Sequence, residues 1–368
     1  MESGTTTRGQ ELFLRRSCSL RKITDSDCGR IRKTVFDRIL ISEHGPLRGY
    51  FMCATMVRHM KLQTLEEAGR TFTYTDHRIS VPRFVTAQML DILKKWQTVF
   101  PSEASYVSRE YGVPSIIVRF DGVVAPEGRF DAYEVQSGCG WTGYAGLVNE
   151  AFRDMRDDFV KNKWPPFKLL APLRKPLENP DELFWLQRTS LKEARESDTL
   201  LWVRYLAQKI PKRVRGAIIA RSLKPVQAHN SKHYGTALGW WKTVMWHESL
   251  HGSALPWDEA FVLKPSFQYG STDIMLWKPN ERTGRATRTQ IIQTLQRNGG
   301  MYLQRFIAPM RTRVGNNEYN IILRPFFGYD PQEKRWVPMQ GVWTGRPYPN
   351  LRIHGASDAI SGPLYMEA

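Results

Sequence analysis

Two apolar, β-branched runs separated by a short turn constrain this chain more than any other feature: Ser115-Ile-Ile-Val-Arg-Phe-Asp-Gly, then Phe130-Asp-Ala-Tyr-Glu-Val-Gln. Both read as strands, and in a strand residues i and i+2 share a face. Arg119 therefore lies with Asp121, and Glu134 with Gln136; pairing the two runs delivers Asp121, Glu134 and Gln136 to one spot. Two carboxylates and an amide oxygen suit magnesium, a hard cation that keeps several waters and takes further ligands from nucleotide phosphates. The plain alternative is a hairpin carrying ordinary surface acids.

A chain of 368 residues exceeds what one hydrophobic core organises, so two or three subdomains are expected. The hydrophobic fraction of 41% excludes a disordered chain, and no run of about 18 apolar residues offers a membrane span. The opening Met1-Glu-Ser-Gly-Thr-Thr-Thr-Arg lacks an apolar leader, and Cys18, Cys28, Cys53 and Cys139 show no metal-type spacing. A cytoplasmic protein with reduced thiols is the expectation. The net charge of +17 implies an anionic partner or a positive field over a cleft. Its basic residues scatter over Arg8 to Lys33, Lys168 to Lys175, Lys209 to Arg215 and Arg282 to Arg297, so none forms a nucleic-acid-binding tail.

Hydrophobic periodicity sets the remaining elements. Arg70 to Tyr74 reads as a strand and Ala87 to Trp96 as a helix; Tyr144 to Lys161 reads as one helix closed by Trp164-Pro-Pro-Phe. A Pro-rich connection follows at Ala171 to Pro180, then the extended Gly216-Ala-Ile-Ile-Ala, and a further helix is expected from Lys232 to about Leu250. Strands are expected at Ala260 to Lys264 and from Met301 to a stop at Pro309. Three regions result: 1–105, 106–210 with the metal-binding strand pair and a helical region, and 211–368.

The strand ending in Lys264 runs into a Gly-containing turn and a second strand, a device that can lay backbone N–H groups and a hydroxyl over phosphates while the lysine supplies a point charge. Gln304 could read an adenine edge from its strand, although an ordinary core strand looks the same.

Taken in order, these pieces resemble the ATP-grasp fold in the circularly permuted arrangement of the glutathionylspermidine synthetase family. The motifs that carry the resemblance are Arg119-Phe-Asp121, Glu134-Val-Gln136, Asn230-Ser-Lys232, Leu263-Lys264-Pro265 with Gly270-Ser271, Tyr302-Leu-Gln304, and arginines between Arg324 and Arg352, over roughly residues 110 to 360. The resemblance implies an α+β fold with a nucleotide cleft between two α+β subdomains, preceded by a mixed α/β substrate region. It implies ATP and magnesium as cofactors, with Asp121, Glu134 and Gln136 holding the metal, Lys232 and Lys264 on the phosphates, Gly270 and Ser271 covering them, Gln304 beside adenine, and Phe306 among the nucleotide contacts. Arg119 faces the reacting acyl phosphate. As the late arginine, Arg352 is preferred over Arg324 and Arg346, because it follows Gly341-Val-Trp and a variable turn. Two departures stand out: Gln136 replaces the family's Asn, and Ser231 separates Asn230 from Lys232.

The implied reaction is an ATP-dependent carboxylate–amine ligation through an acyl phosphate, its partners a small carboxylate and an amine such as an amino acid, peptide or polyamine. A nucleic-acid-linked substrate would suit the +17 charge. Two rivals remain. His247-Glu-Ser-Leu-His251 matches the zinc-hydrolase pattern of two His at i and i+4 with a Glu base, although Gly252-Ser-Ala-Leu-Pro breaks the helix beside it. A basic nucleic-acid-binding protein with an inactive nucleotide cleft is the other.

Overall fold

The expected hairpin is present. In a computed structural model of the chain, β4 (Ile117–Val124) pairs antiparallel with β5 (Phe130–Ser137), and the turn between them places Gly128 at φ 80°, a left-handed conformation open to glycine. The structure describes residues 63–67, 70–99, 110–113, 115–137, 141–170, 188–189, 192, 200–203, 218–221, 241–245, 255–265, 274–280, 286–298, 300–351, 353 and 358–367. They fall within one unit, Ala54–Ala368.

The hairpin forms one edge of a sheet of nine described strands. From the far edge the order is β1 (Gln63–Glu67), β2 (Arg70–Tyr74), β17 (Ile360–Met366), β16 (Arg335–Pro347), β15 (Asn317–Asp330), β4 and β5, with β14 (Met310–Val314) beside β15 and β3 (Ile79–Val81) beside β17. β17 pairs parallel with β2 and β3; its partner β16 is antiparallel. Expected boundaries at 105 and 210 do not divide this sheet, which draws strands from all three expected regions.

Helix α1 (Arg83–Val99) contains the stretch expected to be helical, lies against β5 and β16, and turns Val85, Met89, Leu93 and Trp96 into the core. These recur at the i, i+4, i+8, i+11 spacing of one helical face. The expected single helix over 144–161 is instead two, α2 (Thr142–Val148) and α3 (Glu150–Lys163), parted at Asn149, whose backbone is extended at φ −128° and ψ 102°. Asn149 caps α3 by accepting from Phe152 N at 3.2 Å, while its Nδ2 donates to the carbonyls of Gly341 and Leu364 at 2.7 and 3.0 Å. Apolar spacing runs smoothly through this break, and only the tertiary partners of Asn149 reveal it.

A second sheet orders β10 (Trp241–Met245), β13 (Gly300–Arg305), β11 (Phe261–Pro265) and β12 (Met275–Trp277), all antiparallel. Helix α4 (Arg288–Asn298) connects β12 to β13 and opens on a reciprocal cap, in which Thr287 and Gln290 each accept the other's backbone N–H. It packs Ile291 and Leu295 on Phe261, Leu263, Trp277 and Met301. Residues 241–245 correct the helix expected over 232–250: Trp-Lys-Thr-Val-Met is a strand, because β13 offers it a full antiparallel ladder that outweighs local propensity. A third sheet is parallel throughout, in the order β7 (Arg188–Thr189), β6 (Phe167–Leu170), β8 (Leu200–Val203) and β9 (Ile218–Arg221). The architecture is thus mixed α/β with few helices. Among the described residues, no helix is long and apolar enough to cross a membrane.

Candidate functional site

Within the β4–β5 ladder Asp121 stands directly opposite Glu134, and Arg119 opposite Gln136. Two carboxylates facing each other across a strand pair repel, so the arrangement requires cations close by. Arg119 is the first. Its Nε donates to Asp121 Oδ1 at 3.0 Å and its Nη2 to Gln136 Oε1 at 2.6 Å, while Gln136 Nε2 donates to Glu134 Oε1 at 2.9 Å. Arg119 and the three residues expected to share a spot, Asp121, Glu134 and Gln136, form one connected chain of contacts.

Arg324, from the middle of β15, is the second cation. Its Nη1 donates to Thr344 Oγ1 at 2.8 Å, and that hydroxyl meets Ser361 Oγ at 3.1 Å. The Arg324 Nε forms an ion pair with Asp121 Oδ1 at 3.4 Å but, among the described residues, is buried without a hydrogen bond. Trp141 covers both guanidinium groups, its ring centroid 4.1 Å from Arg324 Cζ and 5.7 Å from Arg119 Cζ. Register shifts fall beside these charges, between Asp121 and Gly122 on β4 and between Pro325 and Phe327 on β15. Such bulges kink a strand and re-aim its neighbouring side chains.

The third cation comes from the second sheet. On β11, Phe261 and Leu263 face the core shared with α4, so alternation turns Val262 and Lys264 the other way. Lys264 stands opposite Tyr302 and Val262 opposite Gln304, which puts Lys264, Tyr302 and Gln304 on one face. Burial pushes the Lys264 ammonium below its ordinary value, and Glu134 and Asp121 restore it only in part. Burial likewise pushes Asp121 up, but Arg119, Arg324 and Lys264 together hold its carboxyl below the usual carboxylate range. Arg324 is drawn down to about 10 by burial, against the pull of Asp121. The sheets therefore meet at one cluster of three cations, Arg119, Arg324 and Lys264, and two carboxylates, Asp121 and Glu134. A further tie is Tyr133 Oη, which donates to Ile307 O at 3.0 Å just beyond β13 and whose phenol burial pushes up.

Donor chemistry at the hairpin fits a hard cation: every available donor is an oxygen, from Asp121, Glu134 and Gln136, and Arg119 holds some of those same oxygens. Among the described residues no group of three or more His, Cys, Asp or Glu is placed to hold a metal ion, so Gln136 and phosphate or water would complete any such site. For a nucleotide the telling group is Gln304, 3% exposed, whose Nε2 has no hydrogen-bond partner among the described residues. A buried donor left unpaired costs about 1–3 kcal/mol, a cost that a bound acceptor removes. Phe306 follows β13, donating its N–H to Ala260 O at 3.0 Å, with Lys278 Nζ 4.9 Å from its ring centroid.

No family model matches the chain, and no curated protein matches it. Among solved structures, a glutathione synthetase-like effector from Globodera pallida, in its apo form, aligns with a TM-score of 0.40 and 10% identity over 83% of this chain and 93% of that one. A likeness that distant assigns neither fold nor activity.

Lys232, Gly270, Ser271 and Arg352 lie outside the described residues, as do Asn230, Ser231, the His247-to-His251 motif, the cysteines and the connection at 171–180. Of the other late arginines, Arg346 pairs with Asp358 through Nε and Nη2, both at 2.8 Å, while Arg324 joins the cluster. Trp141, Thr344 and Ser361 are cluster residues that motif order did not single out, and Arg324 was named only behind Arg352. A signal for Arg324 was present: it is the one charge in the buried run Tyr319-Asn-Ile-Ile-Leu-Arg-Pro-Phe-Phe-Gly-Tyr. A charge inside such a run needs a partner.

Proposed function

We propose that the chain is an ATP-dependent carboxylate–amine ligase built on a circularly permuted ATP-grasp fold. The observation that carries this reading is the meeting of Asp121 and Glu134 from one sheet with Lys264 from another, in a buried cluster whose cations outnumber its carboxylates three to two. Excess positive charge away from water favours an anionic ligand, and the unpaired Gln304 amide on the Lys264 face favours one that also brings a hydrogen-bond acceptor.

In this reading ATP phosphorylates a substrate carboxylate and an amine then displaces phosphate to leave an amide; bound magnesium supplies charge neutralisation between phosphate oxygens. Asp121, Glu134 and Gln136 hold the metal, and Lys264 stabilises the charge that develops on the transferred group. Arg324, rather than Arg352, is the late arginine that faces the phosphates, joined by Arg119. Gln304 donates to the base, and Phe306 borders it. Lys232, Gly270 and Ser271 keep their expected roles on the phosphates. No protein nucleophile is needed.

A screen of ADP release across amino acids, polyamines and small peptides, with mass spectrometry of the product, tests the reading. Lys264→Ala and Glu134→Ala should each lower ATP consumption by about two orders of magnitude or more with far-ultraviolet circular dichroism unchanged. Turnover at the wild-type level in both variants would refute it.

A further inference from the structure

Trp141 occupies a backbone conformation that L side chains rarely adopt. Its φ is 72° and its ψ −4°, immediately ahead of α2. That conformation costs a non-glycine residue free energy and persists where the surroundings impose it, most often at functional sites. Glycine would be the default there, and the chain has one directly before it at Gly140. An indole at this point therefore calls for a reason in the side chain.

The side chain is held from one side and in turn holds two charges. Tyr144 meets the indole edge-on, with centroids 5.2 Å apart and planes at 86°, and Tyr144 Oη is anchored by donating to Thr73 O at 3.3 Å. The indole face is presented to Arg324 at 4.1 Å and, more loosely, to Arg119 at 5.7 Å. Those two guanidinium groups repel, since the charge of Arg119 pulls Arg324 further down. A negative π face against both cations offsets that repulsion and excludes water from them, which strengthens their field on anything bound beside them. With its face set by Trp141 and Nη1 set by Thr344, the Arg324 guanidinium keeps Nε as a buried donor without a hydrogen bond, beside Asp121.

We propose that Trp141 is a positioning residue of this site, fixing the Arg324 and Arg119 guanidinium groups so that their charge meets a phosphoryl group. The proposal rests on the phosphoryl-transfer reading above, and no motif or resemblance assigns Trp141 a role. Its chemistry is cation–π clamping: the indole touches neither substrate nor metal, and it acts through the arginines.

The test compares the full-length wild type with Trp141→Phe, which keeps a π face, and Trp141→Leu, which keeps only apolar bulk. If Trp141→Leu does not fold, Trp141→Gly, which suits the left-handed backbone, takes its place. Measured quantities are kcat, KM for ATP, thermal midpoint, and calorimetric binding of inorganic tripolyphosphate. Trp141→Leu should lower kcat and tripolyphosphate affinity by about tenfold, with KM for ATP within about threefold and Trp141→Phe restoring most of both losses. Wild-type kcat and affinity in Trp141→Leu, or equal losses in the Phe and Leu variants, would overturn the proposal while leaving the ligase reading intact. Wild type without ATP turnover, but with tripolyphosphate binding that depends on Trp141, would sink the ligase reading and keep the clamp. No tripolyphosphate binding by the wild type would overturn both.

Discussion

Lys264 illustrates a conflict between what a side chain does and what it costs. Its ammonium lies in a cluster that already holds two guanidinium groups against two carboxylates, so removing it leaves charges balanced. Because burial depresses its folded pKa, its charge costs stability in full below that value, and the cost fades as pH rises through it towards the ordinary lysine value of about 10.4. Asp121 works in the opposite direction. Its folded pKa is depressed, so its contribution is complete above about pH 4 and is lost as pH falls through the folded value. Lys264→Met should therefore abolish ATP turnover yet raise stability by about 1 kcal/mol at neutral pH. Urea titration checks this, and a lower midpoint for the variant would contradict a cation surplus.

At the scale of elements, Asn149 shows why local pattern and tertiary structure part company. The spacing of Ala145, Val148, Phe152 and Phe159 is that of one helix, and four of its expected apolar positions do reach the core or pack on it. What ends α2 is a side chain that donates to two carbonyls, one on β16 and one on β17, so that the end of α2 is fastened to the strands that carry Thr344 and Ser361. No period in a sequence encodes a donor's distant acceptors. Asn149→Ala should cost about 3 kcal/mol, from a lost cap and two orphaned carbonyls. Asn149→Asp keeps the cap acceptor but cannot donate, and it should lose nearly as much in equilibrium unfolding. An Asp variant of wild-type stability would show that the two donated bonds are dispensable. At 241–245, the described part of the helix expected over 232–250, the reason differs: Trp241 to Met245 suits either structure, and the ladder with β13 decides.

Across the whole molecule, the hairpin acids, the lysine strand and the Gln304 strand were all legible, because each is written in strand patterning. Arg324 was visible only as one of several late arginines and as a lone charge in an apolar run, and Trp141 not at all, since it takes the pairing of β15 with β4 to bring Arg324 to Asp121 and under the indole, and motif spacing carries no trace of that. Two separate hydrophobic clusters support the two sides of the site. A ligand held by both should quiet both at once. Hydrogen exchange with magnesium and a non-hydrolysable ATP analogue should slow residues 117–137 and 261–305 together, with stabilisation of about 3 kcal/mol at one hundred times Kd. Protection confined to one sheet would mean that the cluster does not bind the nucleotide as a unit.

The place of β17 in the large sheet bears on how the chain is made. It follows every other strand of that sheet in sequence, yet sits in the interior, with β16 on one side and β2 and β3 on the other. On the ribosome, β1 to β3 can have no lasting seat until residues 360–366 have emerged, so the segment synthesised earliest among the described strands must wait longest for its neighbour. Ser361, which steadies Thr344 under Arg324, arrives on that same strand. Nascent chains still short of it would lack both the seam of the sheet and the last support of the arginine, and so would carry no finished charge cluster during translation.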